Sequence, residues 1–192
     1  MKKMTKQQIN TLTLSAVFTA IVIVLQLLGA FIRFSTFSVS LVLVPIVLGA
    51  ALCGVKTGAW LGFVFGVAVL LSGDATAFMQ LDVFGTVVTV LLKGTLAGLL
   101  AGLTYKTLEN VNRYLAVFLA ALVCPIVNSG VFILGCFTFF YNDLSAWAPA
   151  GQSIVSYIFV GLVGLNFVFE VAVNVLLSPA IFRVLNIVKK QK

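Results

Sequence analysis

Six apolar stretches, at residues 9–32, 37–53, 58–71, 83–105, 114–141 and 154–185, take up most of this 192-residue chain. A helix needs about 20 apolar residues to cross the hydrocarbon core of a bilayer. Charged residues make up 9% of the chain, against roughly 25% in soluble domains, so water would not wet its surface. The pattern predicts an all-α integral membrane protein with six transmembrane helices, occupying 1–192 as a single membrane domain. The second and third stretches are short, and a tight turn at 54–57 between them allows a tilted or re-entrant arrangement. No length is left for a soluble ATPase or binding module. The first stretch is longer than a signal-peptide core and lacks a clear A-x-A cleavage site, so it reads as a retained span.

The net charge of +7 raises nucleic acid as a partner, but the positions of the charges point to lipid. Lys2, Lys3 and Lys6 precede the first stretch, and Arg183, Lys189, Lys190 and Lys192 gather at the end of the last. Such flanking cations are attracted to anionic headgroups of membrane lipid; nucleic acid is not expected. With the N-terminus inside, Lys56, Lys106 and Arg113 join them on the cytoplasmic side. The outside keeps Arg33, with Asp74, Asp82 and Asp143. This bias predicts that the N-terminus and the C-terminus are both cytoplasmic. The outer segments 72–82 and 142–153 are the longer irregular ones. The second holds Trp147, Pro149 and Gly151 and is expected to lie over an outward-facing cavity as a lid.

Two ionisable residues fall near the middle of apolar stretches: Lys93 in the fourth and Glu170 in the sixth. Each costs about 2.5–3.5 kcal/mol at the bilayer centre on insertion scales, so such groups face a cavity or each other. Thr89, Thr86 and Asp82 precede Lys93 at offsets of four, three and four residues, which puts all four on one helical face. Asn166, Glu170 and Asn174 recur every four residues as a second polar stripe. Asn128 lies in the fifth stretch, with Pro125 one turn away to free a backbone carbonyl. Two arrangements fit. In one, Lys93 receives an anionic or carbonyl group of a small molecule, while Asn128, Asn166 and Glu170 bond its hydroxyls and amides. In the other, a Lys93–Glu170 ion pair and inter-helix asparagine bonds hold the bundle together. The polar stripe reaching outward favours the pocket; Asn174 lies deeper and either lines it or packs beneath it.

Small residues form a separate pattern. Gly58, Gly62 and Gly66 recur every four residues in the third stretch, as do Gly94, Gly98 and Gly102 in the fourth. Such ridges let helices approach closely, within the chain or against another subunit. On the fourth stretch the ridge lies about 100–180° around the helix from Lys93, at 100° per residue. Ala16 and Ala20 add a short A-x-x-x-A near the cytoplasmic end of the first stretch.

Cys53, Cys124 and Cys136 sit in apolar runs with no C-x-x-C, and the chain has no histidine. They read as small packing residues, and no metal site or cofactor is expected. Residues 49–57, GAALCGVKT, imitate a phosphate-binding loop. The lysine comes one position late, and the segment ends a membrane helix instead of following a strand. No His-based triad or paired-carboxylate site argues for an enzyme.

Taken together, the length, the six helices with both ends inside and Ala16-x-x-x-Ala20 resemble the substrate-binding S components of energy-coupling factor (ECF) vitamin transporters. The stretch FSVSLVLVPIVLGA at 37–50, then Gly54 and the Gly58, Gly62, Gly66 run, is similar to the branch holding riboflavin, pantothenate and folate carriers. The resemblance implies a multi-pass protein of the bacterial cell membrane that captures a vitamin from outside and does not hydrolyse ATP. An ECF coupling transmembrane subunit and two ATPase subunits would do that work. Ala16 and Ala20, with Gly58 and Gly62 as further candidates, would meet the partner. It also implies a pocket lined by the last three helices and the outer loops. A lysine with asparagines and a glutamate suits a ligand with a carboxylate, hydroxyls and an amide, so pantothenate comes first. Riboflavin is second: its carriers often place a lysine three residues after an asparagine, where Asn166 is here followed by Phe169. Two other functions remain open: a solitary proton-coupled carrier using Lys93 and Glu170 as its relay, and an assembly protein with no ligand.

Overall fold

The computed structural model describes residues 5–31, 33–34, 37–38, 41–149 and 151–190. Lys2, Lys3 and Lys192, and the side chains of Lys6, Arg33, Lys189 and Lys190, belong to the basic flanks read above and lie outside the described residues. Helix α1 (Lys6–Phe31) is followed by a two-residue antiparallel pairing of β1 (Arg33–Phe34) with β2 (Phe37–Ser38). Then come α2 (Leu43–Cys53), α3 (Val55–Leu71), the short α4 (Thr76–Met79), α5 (Val83–Leu108) and α6 (Arg113–Phe139). A bend at Phe140 leads to α7 (Tyr141–Trp147). The last rod begins as α8 (Ile154–Ser156), passes through a π-helical stretch (Tyr157–Gly164) and continues as α9 (Leu165–Lys190).

Among the described residues, four segments are long and apolar enough to cross a membrane: Gln8–Ala30, Val83–Leu108, Arg113–Phe139 and Ile154–Val188. The two remaining apolar helices, α2 and α3, have 11 and 17 residues. The second stretch was expected to be helical from residue 37, but α2 starts at Leu43. Pro45 fixes that start. Proline has no N–H to donate and is accommodated in the first turn of a helix, where the N–H groups have no intrahelical partner.

Helix α2 is apolar all round, and such a helix belongs in an interior. It packs against α1, α3, α5, α6 and α9, with Leu43 and Ile46 fully buried. Gly54 separates it from α3 at φ 99°, a left-handed backbone that glycine adopts without steric cost. One residue thus makes the turn that was expected at 54–57. Side-chain caps set other starts. Asp82 accepts from Phe84 N at 3.0 Å to open α5, and Asn112 accepts from Leu115 N at 3.0 Å to open α6.

Helices α3 and α5 meet through their glycines in antiparallel register. A Cβ on Gly58 would strike the Gly98 carbonyl, one on Gly62 the Gly94 carbonyl, and one on Gly66 the Val90 carbonyl. Gly58 and Gly62 are buried in this internal contact. Their reading as partner-docking residues is therefore corrected: the close backbone approach that small residues permit is already used within the chain. Ala16 and Ala20 lie instead on the exposed face of α1, beside Leu12 and Val24. Cys124 and Cys136 are fully buried.

This contrast predicts unequal tolerance. Gly62→Leu forces a side chain into a backbone contact, and overpacking costs about 1–3 kcal/mol or more. Ala16→Leu on the open face is expected to stay within about 0.5 kcal/mol. Thermal unfolding of the purified variants in detergent checks both; similar melting temperatures for the two would contradict the assigned packing.

Candidate functional site

Between α1, α3, α5, α6 and the last rod lies a cavity of ≈ 350 Å³. Helix α5 supplies a ladder of Thr86, Thr89 and Lys93 along one wall, as their three- and four-residue spacing requires. Thr86 Oγ1 donates to the Asp82 carbonyl at 2.6 Å, whereas Thr89 Oγ1 has no protein partner. The Lys93 ammonium is 5.3 Å from the Phe132 ring centroid and 5.9 Å from that of Phe65. Both lie within the range at which an aromatic face attracts a cation. Among the described residues no ion pair joins Lys93 to Glu170.

Glu170 accepts instead from Asn128 Nδ2 at 3.3 Å, which ties α9 to α6. The carbonyl oxygens of the Asn128 and Asn166 side chains are buried with no protein partner, and both residues line the cavity. The π-helical stretch explains which residues of the last rod face inward. Tyr157, Leu162, Val163, Asn166 and Glu170 all line the cavity, with a five-residue step from Tyr157 to Leu162. The five-residue step is that of a π turn, a geometry found frequently at functional sites.

Aromatic rings close the end of the cavity nearest α4 and α7. The Phe78 ring sits edge-on among Phe132, Phe140 and Trp147, at centroid separations of 5.3, 5.2 and 5.8 Å. Such edge-to-face contacts hold flat side chains in a fixed arrangement. Both segments read as outer loops contribute: 72–82 through Asp74 and Phe78, and 142–153 through Trp147.

Seven of the nine residues expected to contact a ligand meet here: Thr86, Thr89, Lys93, Asn128, Trp147, Asn166 and Glu170. Two do not. Asp82 caps the N-terminus of α5, its carboxylate held by a backbone N–H. Asn174 is wholly buried one turn beyond Glu170, and its Nδ2 donates to the Glu170 backbone carbonyl at 2.8 Å. The sequence reading named no residue of the first three apolar stretches for the pocket, yet Gln26 of α1 and Phe65 of α3 line it. For Gln26 a signal existed: it is an amide inside the otherwise apolar run VLQLL.

A hollow with a cation between two rings, unpartnered acceptor oxygens, a carboxylate and an aromatic cover suits a small polar molecule bearing a negative charge. Residues 10–182 match the family described as ECF transporter, substrate-specific component. The chain is 28% identical over 195 residues to the pantothenic acid transporter PanT of Lactococcus lactis subsp. cremoris (strain MG1363), covering 93% of this chain and 94% of that protein. No solved structure matches it.

Stability separates side chains bonded within the protein from side chains without a protein partner. Asn128→Leu leaves the buried Glu170 carboxyl without its donor and is expected to cost the empty protein about 1–3 kcal/mol. Thr89→Val removes a hydroxyl with no protein partner and preserves its shape, so the empty protein is expected to melt at the same temperature or higher. A drop for Thr89→Val as large as that for Asn128→Leu would contradict this division.

Proposed function

The chain belongs to the family of ECF transporter substrate-specific components, and from that premise we propose that it captures pantothenate or a closely similar acid. As a family member it is a multi-pass protein of the cell membrane and a substrate-binding transport component, not an enzyme. One observation carries the choice of substrate: Lys93 lines the cavity beside two aromatic rings, and among the described residues no salt bridge joins it to Glu170. In this reading the ammonium takes the ligand carboxylate, while Thr89, Asn128, Asn166 and Glu170 bond its amide and hydroxyls. Trp147 and Phe78 cover the bound molecule. The volume of ≈ 350 Å³ is near the small end of ligand pockets, about 300–1,000 Å³, and suits a guest of this size. The similarity to a pantothenic acid transporter supports the same choice.

In the bilayer, α2 and α3 complete six spans of one membrane domain, with both termini cytoplasmic. The basic residues gathered near the termini and the 54 and 109–112 turns support this orientation. The lid end of the cavity then faces outward, toward the nutrient. An ECF coupling subunit with two ATPases drives release, and the exposed Ala16 and Ala20 on α1 are the contact for it. A solitary proton-coupled carrier draws no support, because its Lys93–Glu170 relay is not joined by an ion pair among the described residues.

A ligand that binds only the folded protein stabilises it by about 2.7 kcal/mol at a hundredfold excess over Kd. Pantothenate is expected to raise the melting temperature of the purified protein accordingly. Lys93→Ala is expected to abolish that rise while the empty variant remains folded. An undiminished rise in the variant would remove Lys93 from the site.

A further inference from the structure

The substrate reading leaves two polar residues of the cavity without a task. Gln26 of α1 is 4% exposed, and its Nε2 donates to Asp74 Oδ2 at 2.5 Å and to Ser72 Oγ at 3.3 Å. Both Gln26 and Asp74 line the cavity, although they come from α1 and the turn before α4, not from the helices that supply Lys93 and the asparagines. Their position along the cavity is distinctive. Asp74 lies in the turn just before α4, whose Phe78 closes the lid end. Lys93 is ten positions after Val83, the start of α5, or about 15 Å along that helix at 1.5 Å per residue. The hollow therefore has a cation from α5 and a carboxylate from the turn before α4 on its wall.

We propose that Gln26 and Asp74 form a hydroxyl-recognising subsite at the lid end, so that the guest is an acid at one end and a hydroxyl donor at the other. This rests on the reading of the cavity as a site for a pantothenate-like acid. An ionised carboxylate is purely an acceptor and takes several hydrogen bonds at once. It therefore selects O–H groups and repels the carboxylate of the guest, which Lys93 attracts. The two charges together admit one orientation, and rejection of the wrong one is part of specificity. Asp74 is the contact residue. Gln26 is a positioning residue, holding the carboxylate toward the cavity from α1.

The test is equilibrium binding by calorimetry on the full chain purified in detergent, with three probes. Pantothenate carries both features. Pantothenol has a hydroxymethyl group in place of the carboxylate, and N-(3,3-dimethylbutanoyl)-β-alanine keeps the acid but lacks both hydroxyls. The unsubstituted protein is expected to bind the dideoxy acid roughly tenfold to a hundredfold more weakly than pantothenate, the value of hydrogen bonds to a charged group. Asp74→Asn retains an oxygen to accept from Gln26 but loses the acceptor-only carboxylate. It is expected to weaken pantothenate and pantothenol by similar factors and leave the dideoxy acid unchanged. Gln26→Leu should repeat that pattern more mildly. Equal losses for all three probes would overturn the proposal and reduce the pair to a tie between α1 and the turn. Dideoxy acid binding as tightly as pantothenate to the unsubstituted protein would overturn it without any variant, while leaving the pantothenate reading intact. Failure of pantothenate itself to bind would remove that reading, and the subsite with it.

Discussion

An ammonium group in the middle of a 26-residue apolar helix must be compensated, since its cost at the centre of a bilayer is about 2.5–3.5 kcal/mol even on permissive scales. The bundle does not answer Lys93 with a salt bridge to Glu170. It sets the cation between the faces of Phe65 and Phe132 and leaves a hollow beside it. Much of the surrounding arrangement follows. Asn128 occupies Glu170, so the nearby carboxylate has a neutral donor. The threonine ladder and Asn166 offer oxygens to whatever enters. An anion arriving in such a site gains a charge-assisted bond in a medium that screens poorly.

Helix α5 can serve this site because its two faces do different work. Gly94 and Gly98 put its backbone against α3, a contact rigid enough to fix where the opposite face points. Thr86, Thr89 and Lys93 project from that other face into the cavity. On α1 the division is similar. Gln26 reaches the cavity while Ala16 and Ala20 stay on an open face.

Most of the polar wall was legible in the sequence because helical periodicity is strict: residues spaced by three and four share a face, and α5 and α9 obey that spacing. The lid segments were legible as irregular, aromatic-bearing connections. What escaped had physical reasons. The π-helical stretch leaves no composition signal beyond Gly161 and Gly164, yet it sets which side of the last rod faces inward. Asp82 fits the stripe by spacing, but a helix N-terminus draws a carboxylate to its own free N–H groups. Asn174 also fits by spacing, but its amide folds onto its own helix. Gln26 and Asp74 are far apart in the chain, and no local pattern announces a pair made by packing α1 beside the 72–75 turn.

The most direct test of the account is an experimental structure of the protein with pantothenate bound. The account predicts the ligand carboxylate on the Lys93 ammonium, at the roughly 2.7–2.9 Å of a charge-assisted hydrogen bond, between the rings of Phe65 and Phe132. A structure in which Lys93 is bonded to Glu170, with the ligand bound elsewhere or the hollow closed, would contradict it.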